Sequence, residues 1–282
     1  MSGHFDGTLG ALLLGHLIAM LLFGITSLQS WVYLRRNYQD CIVLRSLVLF
    51  LWLIDCLHVA LATHGVYFYF VTNFGDVAVT LKPSWSLIMI PMVSAVSNLV
   101  VRALFAYRLW ALSGKSILIH MVAGAMSFYV VGLAIFISVE GLFVTSWSAL
   151  RQYKWSIYAG LISEVTVNLI IMVAQYLFLR HLRSGIRLKS TDTFLHTLII
   201  YSINTGLVTS IASVMAVVVF AALPNTLLYV AFYLVTSKLY LNALLANLNA
   251  RDSLRECLHQ DKDGCGGQIT VLGTGMAFER PS

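Results

Sequence analysis

The chain has 282 residues, 59% hydrophobic and only 11% charged, with a formal net charge of +6 and a mean hydropathy of +0.83. A soluble domain carries about 25% charged residues, so this composition excludes a water-soluble globular domain and points to an integral membrane protein. The positive charge does not imply nucleic acid, because the excess Lys and Arg lie in short loops and the C-terminal tail, where membrane topology accounts for them.

A hydrocarbon core of roughly 30 Å takes about 20 apolar residues in a helix, and backbone polar groups within it must be satisfied internally. The apolar runs are continuous and lack the alternation of barrel strands, which predicts an all-α membrane protein. Seven runs qualify: about Leu9 to Leu34, Ile42 to Phe70, Trp85 to Leu112, Ile117 to Phe143, Trp155 to His181, Phe194 to Leu223 and Thr226 to Asn249. Short links between them predict an antiparallel bundle of seven transmembrane helices over residues 1–250. Ser190, Thr191 and Asp192 offer N-caps for the sixth helix. From Arg251 the character changes to mixed charge and then to Gly264, Gly266, Gly267, Gly273 and Gly275, so 251–282 reads as a short helical extension followed by disorder.

Loop charge sets the orientation. Arg35, Arg36, Lys115, Arg183, Arg187 and Lys189 lie in the first, third and fifth loops, and the tail adds Arg251, Arg255, Lys262 and Arg280; the opposite side has Lys82, Arg151 and Lys154. The positive-inside rule therefore places the N-terminus outside and the C-terminus in the cytoplasm, with the plasma membrane preferred over internal membranes. Arg183, Arg187 and Lys189 would face a cytoplasmic partner or anionic lipid. Cys41, Cys56, Cys257 and Cys265 offer no disulfide framework, and the segment from Leu9 reads as an uncleaved first span. Trp31, Trp85, Trp110, Trp147 and Trp155 fall near span ends, as an interfacial belt does. Ala11, Gly15 and Ala19 form a small-residue face that suits close packing within the bundle or, as the alternative, a homodimer.

The informative residues are the polar ones inside the spans: Asp55 and His58 on the second, Asn98 and Arg102 on the third, Glu164 and Asn168 on the fifth, Asn204 on the sixth, and Lys238 and Asn242 on the seventh. Paired residues three or four apart share a helix face. A charge at mid-membrane costs roughly 2.5–3.5 kcal/mol on insertion scales, so it turns inward and finds a partner. Two acids and two bases can form two ion pairs, Asp55 with Lys238 and Glu164 with Arg102 by depth, or one connected network. Their role is either to hold helix register or to form a ligand or ion site.

Specific chemistries fit poorly. A retinal Schiff base on Lys238 needs a nearby carboxylate, and the third span offers Arg102 instead. Asp55 and His58 lack a third zinc ligand at matched depth. Gly114-Lys115-Ser116 resembles the end of a P-loop, but Leu109 occupies the first glycine position. No cofactor, metal or catalytic group is expected. The third span has no Asp-Arg-Tyr motif and the seventh no Asn-Pro-x-x-Tyr motif, so a rhodopsin-like receptor is not indicated.

Leu47 through Asp55 with His58, Phe105-Ala106-Tyr107-Arg108-Leu109-Trp110, Tyr201 through Ser210, and Leu223-Pro224-Asn225-Thr226 through Arg251 together resemble a mushroom-type (basidiomycete) fungal family of multi-pass membrane proteins. Its C-terminal half is catalogued as domain of unknown function 6534. The resemblance implies a seven-helix architecture and no activity, substrate or catalytic residue. The sequence reading is thus a non-catalytic, receptor-like sensor with an inward polar network, the alternative being a transporter or channel built on the same residues.

Overall fold

A computed structural model describes the backbone over 9–36, 41–113, 117–184, 189–223 and 226–262; side chains are described over 9–36, 41–107, 121–147, 149, 152–177, 180, 206–223 and 226–249. Every regular element among the described residues is helical. Seven helices are long: α1 Ala11–Arg36, α2 Ile42–Tyr67, α3 Trp85–Ser113, α4 Ile117–Phe143, α5 Lys154–Ser184, α6 Lys189–Ala222 and α7 Leu228–Lys262. The runs form helices because they are apolar throughout and carry few breakers; Pro91 is accommodated inside α3.

Among the described residues six stretches are long and apolar enough to cross a membrane: Ala11–Arg36, Ile42–Thr72, Val77–Tyr107, Met121–Phe143, Lys154–Leu177 and Leu228–Asn249. By length and composition the chain is an integral, multi-pass membrane protein. The sequence predicts a seventh span at about 194–223. The α6 backbone covers it with 34 helical residues, but its side chains are described only from Gly206, and Gly206–Ala222 alone is short of a span. One boundary differs from expectation: the α6 helix starts at Lys189, so Ser190, Thr191 and Asp192 lie within it rather than before it. The α7 helix continues past the span to Lys262.

Each long helix packs on the next in chain order, α7 closes against α1, and α3 also touches α5 and α7. The buried residues trace stripes of alternating three- and four-residue steps. On α2 the stripe is Val48, Leu51, Asp55, His58, Ala62 and Gly65. On the last helix it is Ala231, Leu234, Lys238, Leu241, Leu245 and Leu248, and on α1 it is Leu12, His16 and Ala19, then Thr26, Ser30 and Tyr33. A repeat averaging about 3.5 residues keeps one seam facing a partner helix. Opposite it, Leu14, Leu21 and Leu28 are more than half exposed, a solvent-avoiding face that a bilayer satisfies.

Gly15 brings α1 and α7 together. A Cβ at this position would lie 2.5 Å from the Cβ of Ala231 and 2.6 Å from its Cα, so only hydrogen allows the backbones to approach this closely. At Gly15 the small-residue face of α1 therefore packs against α7.

Between α2 and α3, a π-helical turn, Phe68–Thr72, extends the second helix. Gly75 follows at φ 83°, a left-handed conformation that favours glycine. Asp76 caps the single turn Val77–Thr80 by accepting from Ala78 N at 2.9 Å. Tyr69 fastens the link by donating to Lys82 O at 2.7 Å and accepting from Ser84 N at 2.9 Å.

Candidate functional site: two buried ion-pair clusters

The polar stripes converge on two clusters. In the first, α2 presents Asp55 and α7 presents Lys238, and the two form an ion pair. Nζ of Lys238 donates to Asp55 Oδ1 and, at 3.2 Å, to Asp55 O. Its third side faces the Phe23 ring, with the centroid 5.6 Å away, a weak cation–π contact. Lys238 is 0% exposed, so the ammonium has exchanged all hydration for one carboxylate, one carbonyl and one ring face.

Asn242, one turn beyond Lys238, donates to Lys238 O and to Leu22 O of α1, each at 3.1 Å. Seven residues further, Asn249 repeats the motif on Gln29 O at 3.1 Å. Asn242 therefore acts as a strap between α7 and α1. The sequence marks Asn249 only as the end of the span; the seven-residue spacing it shares with Asn242 is the available signal.

Two histidines border this pair. His58 is buried, and neither ring nitrogen has a hydrogen-bond partner among the described residues; Asp55 Oδ2 and His16 Nδ1 are likewise without one. His16 approaches Thr63, with Nε2 and Oγ1 3.4 Å apart. His16 lies on the seam with Leu12 and Ala19.

The second cluster joins α3, α5, α6 and α7. Arg102 and Glu164 are paired at 2.5 Å, and each is more than nine-tenths buried. Asn98 Nδ2 donates to Glu164 Oε1 at 3.0 Å and Arg102 Nη2 to Asn168 Oδ1 at 3.1 Å. Asn168 Nδ2 passes the chain to Ser213 Oγ at 3.3 Å, which donates to Thr209 O at 2.9 Å. The Tyr240 ring lies 5.6 Å from the guanidinium carbon. Asn98 with Arg102, and Glu164 with Asn168, are four residues apart, so each helix offers two groups on one face. A planar guanidinium suits this many-partnered site better than an ammonium.

A cavity of about 10 Å³ beside Glu164 is lined by Asn98, Ser213, Tyr233, Thr236 and Ser237, among others. It has room for about one water molecule. The hydroxyls of Ser213 and Thr236 donate to backbone carbonyls of their own helices. Sequence reasoning did not single out Ser213 or Tyr240, because hydroxyls are common in apolar helices.

Of the residues predicted for the site, Asp55 and Lys238 are joined, as are Asn98, Arg102, Glu164 and Asn168. His58 lies beside the first cluster without a bond, and Asn242 ties helices. The side chain of Asn204 lies outside the described residues. Among the described residues no group of three His, Cys, Asp or Glu side chains could hold a metal ion. Glu140, near the end of α4, accepts from Tyr153 OH at 2.7 Å. That bond to the carboxylate, with a smaller contribution from desolvation, raises the ionisation of the Tyr153 phenol above its ordinary value.

Residues 164–253 match the model of a family of unknown function, DUF6534. This segment contains Glu164, Asn168, Ser213, Lys238, Tyr240 and Asn242, members of both clusters. No curated protein matches the chain, and no solved structure does.

Proposed function

We propose that the chain is a non-catalytic, receptor-like membrane sensor whose two buried ion-pair clusters are its bistable element. The observation carrying this reading is the closed pairing of Lys238 with Asp55, with the lysine fully removed from solvent. A permeation path needs hydrated, exchangeable polar groups along its length; a sealed pair between two helices suits a latch that holds one of two packings.

The same proposal includes seven spans in an antiparallel bundle with the N-terminus outside. Supporting it are the unbroken α6 helix and the pairing of chain positions across neighbours. His16 meets Thr63 and Ser27 meets Trp52 between α1 and α2, whereas Gly15 meets Ala231 and Gln29 meets Asn249 between α1 and α7. The first set runs in opposite directions and the second in the same direction, as odd and even spans would. Arg183, Arg187 and Lys189 lie outside the described side chains; by charge they would meet a cytoplasmic partner or anionic lipid. The proposal extends to a plasma-membrane location, and the family resemblance supports a fungal origin.

Proteoliposomes distinguish sensor from transporter. The expected result is no proton or alkali-cation flux above that of protein-free vesicles. Flux that disappears in Asp55→Asn or Lys238→Met would replace the sensor reading with a transporter or channel. Orientation is read with an impermeant maleimide on intact cells, in a Cys41→Ser, Cys56→Ser background. Cys257 and Cys265 are expected to stay unlabelled until the cells are opened; labelling from outside would reverse the topology.

A further inference from the structure

We infer that the ligand of the Asp55–Lys238 latch is a proton, taken up at His58 from the end of the bundle where His16 meets Thr63. The inference rests on the sensor reading and names what that sensor detects.

The argument begins with unused hydrogen-bonding capacity. His58 is 2% exposed and His16 is 7% exposed. Both nitrogens of His58, Nδ1 of His16 and Oδ2 of Asp55 are buried without partners. A buried polar group without a partner costs roughly 1–3 kcal/mol, and several at one junction of three helices call for an explanation. These atoms have almost no accessible surface, so no water-sized space adjoins them. An organic ligand, a hydrated ion or a water would need volume that the packing does not provide. A proton needs none.

Charge balance says where it goes. Asp55 and Lys238 offset each other, so the junction is neutral with His58 uncharged. A proton arriving at the free ring nitrogen forms an N–H bond and adds one positive charge. Asp55, three residues earlier on the same helix, faces the same seam, and its unpartnered Oδ2 is the available counter-charge. The carboxylate then serves two cations. Its hold on Lys238 weakens, the imidazolium and ammonium repel, and α7 is freed relative to α2. The charged and titratable groups acting on His58 from the packed helices are Lys238 from α7 and His16 from α1; Asp55 lies three residues earlier on its own helix, and from α3, Arg102 is already engaged by Glu164.

The route is one-sided. Thr63 lies towards the Thr72 end of its span and 3.4 Å from His16 Nε2, and the other nitrogen of His16 has no hydrogen-bond partner among the described residues. His16 can accept a proton at one nitrogen and release one from the other. Beyond Lys238, the next polar group on the seam is Asn242, whose amide nitrogen is committed to two carbonyls and does not titrate.

The test is solid-state NMR of the full chain in lipid bilayers, with ¹⁵N-labelled histidine and lysine, between pH 8 and pH 5. The expected result is that the His58 resonance passes from the neutral to the imidazolium pattern. That change is missing in His58→Phe, and the Lys238 signal moves with the same midpoint. Should His58→Phe fail to fold, His58→Gln keeps a polar group in the seam without a titrating ring. A His58 ring that keeps its neutral pattern overturns the inference and leaves the sensor reading intact. Titration of His58 without movement of the Lys238 signal also overturns it. Proton flux in the proteoliposomes would instead overturn the sensor reading, while leaving His58 as a proton site.

Discussion

Removing Lys238 tests the organisation of the bundle most directly. The Lys238→Met substitution keeps the volume of the stem and deletes the charge. Nζ has three neighbours: Asp55 Oδ1, Asp55 O and the Phe23 ring. The first two belong to α2, so the substitution unties α7 from α2 and leaves the Asp55 carboxylate buried without a counter-charge. Breaking a buried pair from one side costs about 3–5 kcal/mol, roughly a 10²–10⁴-fold change in the folding equilibrium. Asp55→Asn should cost less, about 2–3 kcal/mol, because an amide oxygen and the Asp55 carbonyl still meet the ammonium. The double substitution removes both charges, and replacing a buried pair by uncharged groups is often close to neutral. It should therefore recover most of the loss, with a coupling of about 2 kcal/mol or more. The assay is reversible unfolding of the four proteins in mixed micelles, read by tryptophan fluorescence. Single substitutions that unfold like the parent, or a double substitution whose cost equals the sum of the singles, would refute the claim that this pair holds the two helices together.

Three other outcomes are expected. Gly15→Ala should destabilise the chain by about 1–3 kcal/mol through overpacking against Ala231, whereas Gly24→Ala, with nothing within 4 Å of the added methyl, should be silent; equal melting of the two variants would discard the close α1–α7 contact. Asn168→Ala removes the link between Arg102 and Ser213 and should cost about 1–3 kcal/mol in the same unfolding assay, which a wild-type midpoint would contradict. Glu140→Gln should bring the ionisation of Tyr153 back down towards the ordinary phenol value of 10.0, read by ultraviolet titration against Tyr153→Phe. Because the folded-state value is the raised one, any stability from this bond is present below the unfolded value and lost as pH rises through the folded one; a Tyr153 titration unchanged by Glu140→Gln would rule the bond out.

Much of this architecture is local in the chain. Hydrophobic length against a bilayer of fixed thickness identifies the spans, and the spacing of Asp55 with His58 or Asn98 with Arg102 puts each pair on one face, because 3.6 residues per turn is a property of a single helix. The seams are legible in the same way: a run such as Leu234, Lys238, Leu241, Leu245 announces an inward stripe before any partner is known. Tertiary structure decided the partners. Two acids and two bases at similar depth are interchangeable in one dimension, and only the tertiary arrangement that brings α2 within reach of α7 through one side chain, and sets α3 on α5, assigns Asp55 to Lys238 and Glu164 to Arg102. It also decided that Gly15 faces Ala231, that Asn242 straps α1, and that His58, on the same stripe as Asp55, has no bond. Hydropathy and periodicity report how each segment meets its solvent; which buried group meets which depends on distances between segments that no single segment contains.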